Sequence, residues 1–114
     1  MIDFNKEIVA ALNTILPTHY EMVLHAGLET PCISYQERNN MDIESGDTLG
    51  YSRVSYTVKV WGNNIGELQL YAKRIDLVMR TLGFKRISSG ELYDNNSSMI
   101  QKILAYEALA REEF

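Results

Sequence analysis

The chain has 114 residues, of which 46% are apolar, enough for one hydrophobic core and not for two, so we expect a single domain over residues 1–114. Its formal charge of −4 at pH 7 argues against a protein that grips nucleic acid by neutralising phosphates, because such proteins gather lysine and arginine on one basic face.

The first segment predicts an amphipathic helix. Apolar residues recur at helical spacing over 4–16, Asp3 can serve as the N-cap, and Pro17 forbids continuation. The charges within this segment fit neither a signal peptide nor a membrane span of ~20 apolar residues, so we expect a soluble protein.

Two strands are predicted next. Residues 19–26 alternate apolar and polar side chains, which is typical of a half-buried strand. Residues 32–38 follow a proline and place Ile33 and Tyr35 on one face. The stretch 39–50 holds turn formers and acids without apolar periodicity, so we expect a long mobile loop there.

Residues 51–61 have the clearest strand pattern in the chain. Alternate side chains there are apolar, which predicts one face in the core and one face that is wet or an interface. The apolar set is Val54, Tyr56, Val58 and Val60, and the polar set is Arg53, Ser55, Thr57 and Lys59.

A second helix is predicted over residues 64–82. Asn64 suits the N-cap, with Glu67 three residues on as in a capping box, and Gly83 suits the left-handed position after the helix. The apolar stripe that should face the core is Leu68, Tyr71, Ile75, Val78 and Leu82.

The last part of the chain has two extended candidates. Residues 84–88 predict a short strand, and 89–98 predict a turn-rich link. Residues 98–110 are ambiguous, because their composition favours helix while Ile100 and Leu104 also share a strand face. If they are extended, the order of elements is α-β-β-β-α-β-β.

Few residues have a spacing that supports chemistry. His19 and His25 lie roughly 20 Å apart along a strand, too far to bind one metal ion. Cys32 is the single cysteine, which favours a reducing, intracellular site of synthesis, and we expect a small buried residue rather than a reactive thiol. Neither a nucleophile motif nor a glycine-rich phosphate loop occurs, so we predict no enzymatic activity and no cofactor.

Acidic residues in the predicted loop only superficially suggest a calcium site. Gly46 stands at the fifth loop position, and Arg53 stands where the bidentate glutamate belongs, so a solvated acidic loop is the better interpretation. As a candidate interface, with other subunits or with a partner protein, we select Asp42, Glu44, Asp47, Arg53 and Lys59.

Two further features each have two interpretations. Trp61 either closes the core against the second helix, which we favour, or is an exposed anchor at an interface. The mixed charges of the C-terminal quarter form either a solvated surface or an electrostatically complementary subunit interface. These charges are Lys85, Arg86, Glu91, Asp94, Lys102, Glu107, Glu112 and Glu113.

Several stretches, taken in order, resemble one known family over nearly the whole chain. They are an N-terminal helix ending in NTILP, a PCISYQ strand, a long polar loop, YTVKVWG leading into an amphipathic helix, LGF, and the closing segment YDNNSSMIQKILAYEA. In this order and spacing the chain resembles the tail terminator or tail completion proteins of long-tailed bacteriophages, also called head–tail joining or minor tail proteins.

The resemblance implies an α+β fold in which a small, mostly antiparallel sheet carries two helices. It also implies a hexameric ring in the virion, assembled in the bacterial host cytoplasm, with the tail tube protein and a head-completion or connector protein as partners. It implies further that DNA only passes through the lumen, and that neither catalysis, a cofactor nor a membrane is involved. The family ends in a strand, so we predict strand at 98–110, with tertiary context overriding propensity.

Size is compatible with such a ring. A domain of this length has a radius of gyration of roughly 13 Å, which corresponds to a sphere of roughly 34 Å diameter. Six such spheres in contact around a ring leave a central hole about one subunit wide, which would pass a DNA duplex. A small ligand-binding or regulatory α+β domain acting as a dimer is the alternative function, and a small enzyme without a recognisable nucleophile and base is the third.

Overall fold

The structure is a computed structural model and describes residues 3–20, 29–43, 51–94 and 98–111. The order α-β-β-β-α-β-β and the α+β class are as predicted, including the strand at the C-terminal segment. The helices are α1 (Asn5–Asn13) and α2 (Ile65–Thr81), and the strands are β1 (Thr18–Tyr20), β2 (Cys32–Ile43), β3 (Tyr51–Gly62), β4 (Lys85–Asp94) and β5 (Met99–Arg111).

The five strands form one mixed, mostly antiparallel sheet in the order β1-β2-β3-β5-β4. Only β1 and β2 are parallel, and the other three pairs are antiparallel. The three long central strands give the molecule extents of 51 × 23 × 22 Å and a radius of gyration of 15.3 Å. The spherical shape assumed for the ring estimate is therefore wrong, because strands of 12 or 13 residues extend well beyond a sphere of this mass.

Both helices pack on one face of the sheet, and the core lies between them and the strands. The predicted apolar face of β3 is fully buried there and is continued by Ile33 of β2 and Leu104 of β5. Helix α1 contributes Ile8 and Leu12. This arrangement confirms the alternation predicted for β3, since its polar set lies on the other face.

Helix α2 begins as predicted. The amide of Glu67 donates a hydrogen bond of 3.1 Å to Oδ1 of Asn64, and Gly83 after the helix has a φ of +94°. The side chain of Glu67 accepts instead from the hydroxyl of Tyr71, at 3.2 Å. The buried face is centred on Leu68, Ala72, Ile75 and Met79, while Tyr71, Val78 and Leu82 are half-buried beside it.

The Asn64 cap gives a first prediction. Replacing Asn64 by alanine leaves the Glu67 amide without its side-chain acceptor and is expected to lower the free energy of unfolding by about 1 kcal/mol. Chemical denaturation measures this, and an Asn64→Ser variant, which keeps an acceptor oxygen, is expected to lie near wild type. Equal losses in both variants would contradict the capping role.

Helix α1 is shorter than predicted. It covers Asn5–Asn13, and the amide of Asn5 donates to Oδ1 of Asp3 at 2.9 Å, so Asp3 serves the first turn although Phe4 occupies the N-cap position. At the other end, Oδ1 of Asn13 accepts from the amide of Thr18, at 3.0 Å. Helix α1 therefore ends four residues before Pro17, and the Asn13 side chain bonds to the backbone beyond the turn that follows.

The prediction of a mobile loop over 39–50 is wrong for its first five residues. Residues 39–43 continue β2 and pair with β3 after a register shift between Glu37 and Asn39. Pairing along β3 satisfies the backbone of these turn-forming residues, so tertiary context overrides their local preference. Residues 44–50 lie outside the described part of the chain.

The predicted link over 89–98 is wrong for residues 89–94, which extend β4. They pair with β5 in continuous register from Ser88 to Asp94, and residues 95–97 lie outside the described part. The strand predicted over 19–26 is described only to Tyr20, in β1, because residues 21–28 are also outside. Neither described helix is long and apolar enough to cross a membrane.

Candidate assembly surfaces

The sheet has an open face, opposite the face on which α1 and α2 pack. It carries alternate side chains of β3 and β5 that are exposed or half-buried, with polar residues on β3 and a more apolar row on β5. We define the open face by Arg53, Ser55, Thr57 and Lys59 together with Gln101, Ile103, Ala105, Glu107 and Leu109.

Two of the predicted interface residues, Arg53 and Lys59, lie on the open face. Nε of Arg53 is 3.6 Å from Oε1 of Glu107, and the two side chains are 49% and 40% exposed. Nζ of Lys59 is 6.0 Å from the ring centroid of Trp61. Exposed ion pairs and cation–π contacts of this kind each contribute only ~0–1 kcal/mol, so both cations can turn to a partner at little cost.

Of the three acidic members of the predicted interface, only Asp42 lies within the described residues. The backbone of Asp42 pairs with that of Ser52 in the β2–β3 register, and Arg53 is the next residue along β3. Glu44 and Asp47 lie outside the described residues. Arg53 and Lys59 are themselves roughly 20 Å apart along β3, so the surface they mark is extended rather than a compact site.

Trp61 does not take the position we favoured for it. Its parity on β3 is that of Lys59, away from α2, so its closing of the core against that helix is wrong. It is not an exposed anchor either, because it is only 5% exposed and its Nε1 donates to Oγ of Ser34 at 2.9 Å. Cys32 is fully buried, as predicted, and burial raises the pKa of its thiol.

A pocket of about 420 Å³ lies where the end of α2 meets β4 and β5. In it, Nη1 of Arg86 is 2.7 Å from Oδ2 of Asp76, and the hydroxyl of Tyr106 donates to the other oxygen of that carboxylate. Burial, followed by this hydrogen bond, raises the pKa of Tyr106. Arg80 and Lys85 also line the pocket, so its positive charge suits a small anionic group.

Other charges of the C-terminal quarter are also paired within the chain. Nζ of Lys102 is 3.1 Å from Oε1 of Glu91, and the lysine side chain is only 10% exposed. Nε2 of Gln69, on α2, donates to the same carboxylate oxygen at 3.1 Å. The Gln69–Glu91 and Arg86–Asp76 contacts link α2 to β4, and the Lys102–Glu91 and Arg53–Glu107 pairs each link two neighbouring strands.

The described residues contain no group of three or more histidine, cysteine, aspartate and glutamate side chains placed to hold a metal ion. His19 lies in β1, and His25 is outside the described part of the chain. Of the two serines near the start of β3, Ser52 is fully buried.

Comparison with known proteins finds similarity among solved structures. No protein-family model matches the chain, and no curated protein matches it. Among solved structures, the chain is similar to a chain of the structure described as "Virion of native gene transfer agent (GTA) particle", with a TM-score of 0.53 and 13% sequence identity. The similarity covers 92% of this chain and 84% of that chain, and at this identity it shows a shared fold.

Proposed function

We propose that this chain is a structural virion protein, without enzymatic activity, that acts as a tail terminator or tail completion protein. The observation that carries the proposal is the fold shared, over most of both chains, with a protein of a gene transfer agent virion. The family resemblance of the sequence points in the same direction. In this role the chain forms a ring, with six copies, that caps the tail tube and joins it to the head connector.

The open face supplies the contacts that such a ring needs. Individual exposed charges bind weakly, but contacts repeated around a ring add together. The net charge of −4 suits a lumen through which DNA slides without adhering. The partners are other copies of this chain, the tail tube protein and a head-completion or connector protein, and the protein acts in the virion after assembly in the host cytoplasm.

Charge reversal on the open face tests the ring. The double variant Arg53→Glu with Lys59→Glu is expected to form rings poorly while its subunit remains folded, because both side chains point away from the core. Electron microscopy and light scattering measure ring formation, and circular dichroism measures folding. The matched control reverses Lys73 and Arg74, two exposed cations of α2, and is expected to assemble normally.

Deletion of the gene tests the role in the particle. We expect tails that are defective in length or detached from heads, because a growing tube then lacks its cap and its joint. Particles with tails of normal length firmly joined to heads would contradict the tail terminator role.

The cationic pocket favours a second candidate function, a small α+β ligand-binding or regulatory domain. Arg80 and Lys85 would bind a small anion beside the Arg86–Asp76 pair. Titration calorimetry with inorganic phosphate tests this function. Binding that disappears in an Arg80→Gln variant, in a protein that forms no ring, would favour the ligand-binding domain over the virion protein.

A further inference from the structure

Strand β4 is the last strand of the sheet, next to β5. Within the described part of the chain it pairs with β5 alone, and residues 85–93 are all exposed. Three large apolar side chains, Ile87, Leu92 and Tyr93, are between 56% and 60% exposed along it. Edge strands present unpaired backbone groups, so proteins usually protect them with lysine, proline, a bulge or a short length.

These protections are confined to the beginning of β4. Lys85 and Arg86 come first, and a register shift follows between Arg86 and Ser88. Residues 88–94 contain neither lysine nor proline and pair with β5 in continuous register. The exposed charge at Glu91 is offset by its ion pair with Lys102, so it opposes an approaching strand only weakly.

Gly90 stands at the centre of this unprotected run. Its φ is not positive, and a Cβ placed on it would meet no atom within 4 Å. The packing of its own chain therefore does not require glycine here, although glycine weakens a strand interior. Glycine in a strand often marks a position where another backbone approaches closely.

We propose that a second copy of this chain pairs with β4 through its own β4, antiparallel, with a two-fold axis at Gly90. The two Gly90 residues then lie opposite each other, and Ser89 and Ser88 lie opposite Glu91 and Leu92 of the second copy. Ile87 is the extra residue of the bulge. Beyond it, Arg86 and Lys85 lie opposite Tyr93 and Asp94 of the second copy.

This register matches the two faces of the sheet at every pair. Residues directly opposite in an antiparallel pair share a face. Ser89 and Glu91 both face the helices, since they pair with Leu104 and Lys102 of β5, and Ser88 and Leu92 both belong to the opposite face. The extra residue Ile87 keeps this match for Arg86 and Lys85 as well. Shifting the pairing of the two copies by one residue would instead place residues of the helix side opposite residues of the other face.

The paired side chains are chemically complementary as well. Arg86 meets the ring of Tyr93, an arrangement in which a guanidinium is attracted to an aromatic face. Leu92 comes next to the bulged Ile87, which covers two exposed apolar side chains. The hydroxyl of Ser89 is placed to donate to Glu91, whose other contacts, with Gln69 and Lys102, use one carboxylate oxygen.

The β4 contact is independent of the proposed ring. A two-fold contact uses the same surface on both copies and closes at two, whereas a ring needs head-to-tail contacts on two different surfaces. Variants at β4 and variants at Arg53 and Lys59 therefore test different interfaces, and either proposal can fail while the other holds.

Charges introduced at the two-fold axis test the contact. Gly90→Lys and Gly90→Glu each place two like charges a few ångströms apart and are expected to weaken self-association about tenfold. The two variants mixed in equal amounts are expected to associate again, because opposite charges then meet. Analytical ultracentrifugation follows the species at twice the 13.0 kDa of one chain, and Leu70→Lys, on the exposed side of α2, is the control.

Disulfide formation gives a second readout that does not depend on affinity or on ring formation. A Gly90→Cys variant is expected to form a covalent dimer on mild oxidation, because residues directly opposite in antiparallel strands have the Cα separation that a disulfide needs. Cys32 is fully buried and contributes no background, and Leu70→Cys is the matched control. A Gly90→Cys variant that links no faster than Leu70→Cys, or lysine and glutamate variants that do not recover association when mixed, would overturn the proposal.

Discussion

Replacing Ile75 by alanine is expected to lower the free energy of unfolding by about 2–5 kcal/mol. Ile75 is fully buried at the centre of the face of α2 that packs on the sheet, together with Leu68 and Met79. The substitution removes three buried carbon atoms and leaves a cavity that the surrounding strands cannot fill, because β3 and β5 are held by continuous pairing over 12 positions. Urea denaturation followed by circular dichroism measures the loss.

Leu77→Ala is the matched control for Ile75→Ala, because it lies on the same helix but is 63% exposed. It is expected to change the free energy of unfolding by about 0.5 kcal/mol or less. A denaturation midpoint of Ile75→Ala equal to that of wild type, or equal shifts in both variants, would show that α2 does not pack through Ile75.

The best predicted elements are those in which the hydrophobic pattern and the local signals agree. Strand β3 alternates from Ser52 to Val60, and α2 has both its N-cap at Asn64 and its glycine at Gly83. The apolar stripe predicts Tyr71 and Val78 on the buried face of α2, but the structure buries the next residues, Ala72 and Met79. Alanine contributes little to an apolar pattern because its side chain is small, yet Ala72 packs directly against the core. Helix formers in 98–110 were overridden by pairing with β3 and β4 on both sides.

The errors lie where pairing partners distant in sequence decide the structure. Turn formers such as Asn39 and Ser89 become strand residues because β3 and β5 extend far enough to pair with them. Local propensity carries no information about the length of a partner strand. The burial of Trp61 away from α2 is a similar case, since it depends on Ser34, 27 residues earlier in the chain.

Of the candidate surfaces, only the polar row of β3 was predictable, because alternation alone assigns Arg53 and Lys59 to the face opposite Val54. The cationic pocket was not, since Asp76, Arg86 and Tyr106 lie on three elements and no spacing rule links them. The β4 edge was not predictable either, because it follows from the strand order, in which β4 is the last strand and pairs with β5.

Stability is expected to fall steeply above about pH 10, the ordinary pKa of tyrosine, because two buried tyrosines must stay neutral in the folded protein. Burial, and then the nearby carboxylates of Glu37 and Asp76, raise the pKa of Tyr56 and Tyr106. A folded-state pKa above the unfolded value gives a stabilisation that is complete below pH 10 and is lost as the pH rises through the folded pKa.

For each of the two tyrosines the slope approaches about 1.4 kcal/mol per pH unit once the pH is above the unfolded pKa, so together they remove about 2 kcal/mol between pH 10 and pH 11. Urea denaturation at a series of pH values measures it. Tyr106→Phe removes one ionisable hydroxyl and is expected to reduce the slope, and the double variant with Tyr56→Phe is expected to reduce it further. Because the hydroxyl of Tyr106 also donates to Asp76, the Tyr106→Phe variant is expected to be less stable than wild type at pH 7 and to lose less above pH 10. A slope that is the same in wild type and in both variants would show that these two tyrosines do not control the alkaline limit of the fold.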